Sequence, residues 1–224
     1  VLDLFCGGGG AAAGYAQAWP HADIVGVDAR PQPYYPFQFI QGNVFDLDPA
    51  WMSTFDFIHA SPPCQAHTTM SNRWRNRGTV ADEHVSLVAD TRNLLRSLGK
   101  PYVIENVTGA RSTMIDPLVL SGDRFGLQVI RPRLFETSFP IDATTRPPRQ
   151  PVQDPIGVYG PEAAGQVLWT RIDGTVQRRA TSVEEAQQAM GNIHYMPWRT
   201  LCESIPAAYT QWIATQFTAC QQTA

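Results

Sequence analysis

The sequence predicts a doubly wound α/β fold built on a mostly parallel sheet. Three observations carry this: short apolar runs alternate with amphipathic stretches, a glycine-rich turn joins the first run to the first helix, and polar or acidic residues stand where the runs end. At 224 residues the chain has length for one well-buried core and a small insert. Its 43% hydrophobic and 17% charged content suits a globular protein, and no apolar run reaches the ~20 residues that span a membrane. With no basic leader and cleavage site, a soluble cytoplasmic protein is expected, although the abrupt opening on a strand suggests that residues precede it.

Val1 to Phe5 reads as a buried strand, Gly7 to Gly10 as a glycine loop and Ala11 to Trp19 as a helix, the start of a βαβ unit. Asp23 to Asp28 is a second strand ending on an acid, Gln38 to Val44 a third, and Phe55 to Ala60 a fourth. The prolines Pro62 and Pro63 end that strand, because proline cannot donate to a sheet ladder. Gln65 to Asp82 is polar and arginine-bearing, a long loop of the functional kind. From Val85 to Leu98 the spacing of Val88, Thr91, Leu94, Leu95 and Leu98 predicts a helix with one buried face, stopped by Gly99. Tyr102 to Ile104 is a fifth strand, and Leu134 to Phe139 is compatible with another.

Beyond it, Pro140 to Gly165 is rich in proline and polar residues, as loops or a small irregular insert are. Asp173-Gly174 between two strand-like runs in Val167 to Arg178 is a hairpin signal. Ser182 followed by Glu185 is a capping box that opens a helix to Met190, and Tyr209 to Phe217 is a final helix.

Four cysteines, Cys6, Cys64, Cys202 and Cys220, have no metal-ligand spacing, so free thiols and no metal site are expected. Sixteen of the seventeen basic residues are arginine, suited to bidentate phosphate contacts, but genome composition produces the same bias. The net charge of −3 does not exclude nucleic acid, because binding depends on where the cations lie.

Several residues are placed for chemistry, each with a plainer alternative. The glycine loop admits a pyrophosphate or another nucleoside, or is simply a tight connection; Asp28 after the second strand is well placed for two ribose hydroxyls. Cys64 follows two prolines at a strand end and precedes a polar loop, which places it at a cleft mouth, although an isolated cysteine is most often a small hydrophobe. A reactive thiolate needs positive charge nearby, and Arg131 and Arg133 are candidates. Glu105 ends an apolar strand, where it is either an arginine-paired half-buried acid or a desolvated one able to donate to a base. Asn106 beside it reads equally as a turn residue. Arg73, Arg75 and Arg77 around Trp74 suit phosphate contact and stacking, or a solvated loop.

Taken in order, these segments resemble the cytosine-5 methyltransferases, in their compact phage or bacterial form. Asp3 to Gly10 is similar to that family's first cofactor motif, Asp28 to its ribose acid, and Gly42-Asn43-Val44 to its adenine segment, where Asp usually stands in place of Asn43. Pro63-Cys64-Gln65 resembles the nucleophile motif, Glu105-Asn106-Val107 the acid motif and Arg131-Pro132-Arg133 the arginine motif. Arg179, Ser182, Glu185 and Gly191 keep the spacing of a late motif, with Ser182 replacing threonine, and Ser204-Ile205-Pro206 resembles the closing cofactor motif, with Cys202-Glu203 where Gly-Asn is usual.

The resemblance implies a Rossmann-like methyltransferase fold that transfers methyl from S-adenosylmethionine to cytosine in DNA. It implies catalytic roles for Cys64, Glu105, Arg131 and Arg133. Cofactor contacts fall on Phe5, Cys6, Gly7, Gly8, Gly10, Asp28, Ala29, Asn43, Val44, Pro63, Glu203 and Ser204, and DNA contacts on Gln65, Arg73, Arg75, Arg77 and Arg179. Residues 1–136 and 179–224 are expected to form the catalytic domain and 137–178 a reduced target-recognition region. About forty residues offer few base-reading side chains, so a recognition sequence of two or three bases is expected. A monomer is expected, acting in a bacterial or phage-infected cell in restriction protection, regulation or further base modification. An RNA cytosine methyltransferase, a catalytically silent DNA-binding relative and a dinucleotide-dependent oxidoreductase are the alternatives.

Overall fold

A computed structural model describes residues 1–63, 87–160, 162–163, 168–170, 174, 176–191 and 193–223. Seven strands form the main sheet in the order β3-β2-β1-β4-β5-β7-β6. They are β1 (Leu2–Leu4), β2 (Val25–Asp28), β3 (Gln38–Gln41), β4 (Ile58–Ala60), β5 (Tyr102–Val107), β6 (Leu118–Leu120) and β7 (Arg133–Thr137). The first five are parallel, and β7 runs antiparallel to both β5 and β6.

The short central strands β1 and β4 are buried along their whole length, as parallel strands covered on both faces must be. From β1 the chain moves outward through β2 and β3, then returns across β1 to β4. That reversal opens a crevice at the carboxyl ends of β1 and β4.

Helix α1 (Gly10–Ala18) packs against the last helix, α6 (Ala207–Thr223; α2 to α5 lie between them in the chain). Close approach is possible because Gly14 has no side chain: a Cβ there would stand 2.1 Å from the Ala207 carbonyl oxygen. Thr210 Oγ1 uses the contact to donate to the Ala11 carbonyl at 2.8 Å. Tyr15, Trp19, Phe57, Phe139 and Phe217 fill the space between these helices and the sheet with edge-on and stacked rings.

The short helix α2 (Pro49–Met52) is capped by Asp48, whose carboxylate accepts from the Ala50 amide. Helix α3 (Val88–Leu98) ends at Gly99 with φ 64, the left-handed stop expected there. Its Arg92 makes a buried bidentate pair with Glu136 of β7, at 2.6 and 2.8 Å. Glu136 also accepts from the Ile115 amide and Arg92 donates to the Thr113 carbonyl, so both charges are paired and hydrogen-bonded.

A second sheet has the order β8-β10-β9, from β8 (Ile156–Gly157), β9 (Leu168–Thr170) and β10 (Val176–Arg179). The antiparallel β9–β10 pairing brackets Asp173-Gly174, as its hairpin signal predicts. Ile156 and Val158 share a core with α4 (Val183–Ala189) and α5 (Trp198–Glu203) through Ala186, Met190 and Leu201, so this small sheet is packed on the segments that follow it. Half of the predicted capping box forms at α4: Ser182 Oγ accepts from the Glu185 amide, while Glu185 reaches one residue further back, to the Thr181 amide, and to Arg178. Among the described residues no helix is long and apolar enough to cross a membrane.

Candidate active site

The parallel register sets the site. Ala60 pairs with Ile104, so the next residues, Ser61 and Glu105, emerge side by side at the carboxyl ends of β4 and β5. Asn106 then ties the two strand ends together, its Nδ2 donating to the Pro62 carbonyl at 3.1 Å. Because β7 is antiparallel, its first residue lies where β5 ends, and Arg133 pairs with Val107. The Arg133 Nε stands 3.1 Å from Glu105 Oε1.

Glu105 is 7% exposed. Burial raises its pKa above the ordinary carboxyl value, while Arg133, a hydrogen bond from Ser61 and the more distant Arg131 pull the other way. The site therefore holds a carboxyl group that burial pushes toward the protonated form and its neighbours pull toward the ionised one. Cys64, Gln65, Arg73, Arg75 and Arg77 lie outside the described residues. Pro63, the last described residue before them, is exposed at the mouth of the crevice.

Arg131, expected to support the site, is engaged by the backbone. Its backbone sits at φ 34, and its buried guanidinium donates to the carbonyls of Ser204, Val158 and Cys202 at 2.7, 2.9 and 2.6 Å. Two of those acceptors close the end of α5, where a cation is favoured. Burial, with Arg133 nearby, pulls the Arg131 pKa down to about 9. With its donors engaged by the backbone, Arg131 is a brace between β7, the small sheet and the closing segment.

The glycine loop lies one strand away. Phe5 and Gly7 have φ 54 and 49, and a Cβ at Gly7 would meet nothing within 4 Å, so at this one position the loop presents bare backbone to open space. Asp28, at the end of β2, accepts from the Gly7 amide at 3.0 Å and from the Arg30 amide at 2.9 Å, one bond to each carboxylate oxygen. Each oxygen keeps a further acceptor position. Helix α1 starts at Gly10 with no side-chain cap, leaving backbone donors at its amino end.

The other expected cofactor residues fall in distinct places. Gly10 is pressed against Ser204 and Ile205, and Gly8 against Thr200 of α5. Cys6 contributes backbone rather than chemistry, since its thiol is buried and its pKa is pushed up by burial and by Asp3 and Asp28. Asn43 folds onto its own turn, accepting from the Phe45 amide and donating to Asp46, with Val44 buried beneath it. Ala29 is exposed beside Asp28. Glu203 is exposed and pairs with Arg30 at 2.9 Å. Arg179 lies over the Tyr159 ring, 5.3 Å from its centre, beneath the Gly160 backbone.

Sequence reasoning did not single out Tyr15, His59 and Ser61, which continue inward from Glu105. A histidine inside an otherwise apolar strand was the available signal. His59 Nδ1 lies 2.9 Å from the Tyr15 hydroxyl and Nε2 3.0 Å from Ser61 Oγ.

Solved structures with this fold include two similar along nearly their whole length. One is a triple mutant of Spodoptera frugiperda DNMT2, with a TM-score of 0.61 and 13% identity over 97% of this chain and 98% of that one. The other is the Entamoeba histolytica methyltransferase EhMeth, with a TM-score of 0.62 and 12% identity over 97% of each chain. The fold is that of Rossmann-like methyltransferases. No protein-family model and no curated protein sequence matches the chain.

Proposed function

We propose that the protein transfers a methyl group from S-adenosylmethionine to carbon 5 of cytosine in DNA. One juxtaposition carries this reading: the segment leading into Cys64 is anchored through Pro62 to Asn106, next to the buried Glu105 and Arg133 pair. A nucleophile and an acid delivered from neighbouring strand ends suit attack on a base.

The residues at the end of β1 fit the cofactor. Open backbone at Gly7 and an uncapped α1 suit its amino-acid end, and the spare acceptor positions of Asp28 suit ribose hydroxyls. Phe5, Asn43 and Val44 would flank the adenine, Ala29 and Pro63 would line the entrance, and Cys6, Gly8 and Gly10 would shape the loop. Glu203 and Ser204 would close the far side. Bound there, the cofactor supplies an electrophilic methyl on a sulfonium.

Cys64 thiolate adds to carbon 6 of the ring, which makes carbon 5 nucleophilic enough to accept the methyl. Glu105 hydrogen-bonds the ring nitrogen and the exocyclic amine and so stabilises the charge that develops, while Arg133 holds both Glu105 and the base. With S-adenosylhomocysteine as the product of the transfer, passage of the carbon-5 proton to water then lets the carbon 6–sulfur bond break, which frees Cys64 and restores the ring. Because those atoms are inaccessible in a stacked duplex, the cytosine is flipped out, with Gln65, Arg73, Arg75 and Arg77 on the strand and phosphates and Arg179 at the edge of the small sheet. Residues 137–178 would read the sequence, and their brevity favours a site of two or three bases.

Labelled methyl transfer from S-adenosylmethionine to duplex DNA and to transfer RNA, followed by single-base mapping, tests the proposal. Transfer to DNA at a short site is expected. Methylation of transfer RNA alone would replace DNA as substrate, and a strict site of six base pairs would overturn relaxed recognition.

A further inference from the structure

The catalytic acid is the outer end of a hydrogen-bonded chain that begins in the core. His59 and Ser61 are two residues apart at the end of β4, and so project to the same side. The register that pairs His59 with Val103 and Ala60 with Ile104 brings Ser61 out beside Glu105 at the strand ends, where a hydrogen bond from Ser61 is among the influences that favour the ionised carboxylate. On the inner side, His59 Nδ1 meets the hydroxyl of Tyr15, a fully buried residue of α1. The order is Tyr15, His59, Ser61, Glu105.

The direction of this chain follows from counting donors. His59 is fully buried, and burial lowers its pKa to about 3, so its ring is neutral with one donor and one acceptor. The Tyr15 hydroxyl is a donor whose described hydrogen-bond partner is His59 Nδ1, which makes Nδ1 the acceptor. Nε2 then carries the proton and donates to Ser61 Oγ, leaving the Ser61 proton for Glu105. The opposite sense would strand the Tyr15 proton in the core and give an ionised Glu105 no donor from Ser61.

We infer that Tyr15, His59 and Ser61 are positioning residues that aim the Ser61 hydroxyl at Glu105, so that this carboxyl group meets its substrate already oriented by Ser61 and Arg133. Each bond polarises the next, so His59 strengthens the donor that Glu105 receives. The chain starts on the helix that follows the glycine loop, so α1 and the acid are held in one network. This rests on the reading that Glu105 contacts the substrate base.

The test is a carboxyl-carbon NMR titration of Glu105 in the unliganded protein, assigned with Glu105→Gln, alongside nitrogen NMR of the His59 ring. The charged groups facing Glu105 are Arg133 and Arg131, unchanged throughout. His59 is expected in the Nε2-protonated form. Ser61→Ala should raise the Glu105 midpoint by about one pH unit, the scale of one lost hydrogen bond to a charged group. Ser61→Thr should restore it, and His59→Leu and Tyr15→Phe should raise it by less. His59→Gln keeps a side-chain N–H toward Ser61 and should stay near wild type, which guards against a variant that fails to fold.

In methyl transfer, Ser61→Ala should lower kcat and move the Glu105 limb of the pH profile by the same interval, with KM for DNA unchanged. A purely structural His59 would alter stability and leave the midpoint in place. Nδ1-protonated His59, or one Glu105 midpoint shared by wild type, Ser61→Ala and His59→Leu, overturns the relay. A wild-type protein that methylates no nucleic acid overturns the proposed function, while the titration still judges the relay.

Discussion

The Glu105 carboxylate and the Arg133 guanidinium meet 3.1 Å apart where β5 ends and β7 begins. Parallel strands all finish at the same edge of the sheet, so a residue at the start of a strand reaches that edge only if the strand is reversed. The antiparallel course of β7 is thus what brings the arginine motif to the acid.

Removing Arg133 leaves Glu105 buried without its nearest cation. Since burial holds the folded pKa of Glu105 above the ordinary carboxyl value, its contribution to stability is fully present below the unfolded value and is lost as pH rises through the folded one. Arg133→Leu should extend that loss to higher pH, read by urea denaturation across pH. Methyl transfer should fall about 10²-fold or more, the scale seen for loss of one charge-stabilising donor.

Arg131 should behave differently, because its partners are backbone carbonyls. Arg131→Met should cost about 3 kcal/mol or more, since buried acceptors lose charged donors. Arg131→Lys should recover little of this, as one ammonium cannot reproduce the spread of a guanidinium. Denaturant midpoints of the two variants decide the point.

Arg92 of helix α3 and Glu136 of strand β7 form a closed, buried pair that makes no contact with Glu105 or Arg133. Arg92→Met should destabilise the fold by about 3–5 kcal/mol by leaving Glu136 unpaired. Below the lowered unfolding temperature, kcat should remain near that of wild type, which a calorimetric and kinetic comparison would show.

Gly14→Ala should be destabilising by about 1–3 kcal/mol, because the added methyl meets the α6 backbone rather than a flexible side chain. At Gly42 a Cβ would meet nothing within 4 Å, so Gly42→Ala should leave the thermal midpoint almost unchanged.

Much of this was legible in the chain. Val1 to Phe5, the glycine loop and α1 announce a βαβ start through apolar burial and turn chemistry, and the Ser182 and Glu185 spacing announces α4. The reversal of β7 was not legible, since Leu134 to Phe139 has the same apolar pattern in either direction. Leu118–Leu120 and Trp198–Glu203 are too short to show a period. The arginine motif marks Arg131 as a support of the site, but its partners were not legible, because they are backbone carbonyls, which no side-chain motif records. His59 carried a weak signal, and only the register of β4 against β5 shows what it touches.

The most direct test of the central claim is incubation with S-adenosylmethionine and DNA containing 5-fluorocytosine, which traps the adduct because fluorine at carbon 5 cannot leave as a proton does. A covalent protein–DNA complex that disappears in Cys64→Ser is predicted. Methyl transfer to cytosine that survives the loss of Cys64 would contradict the account.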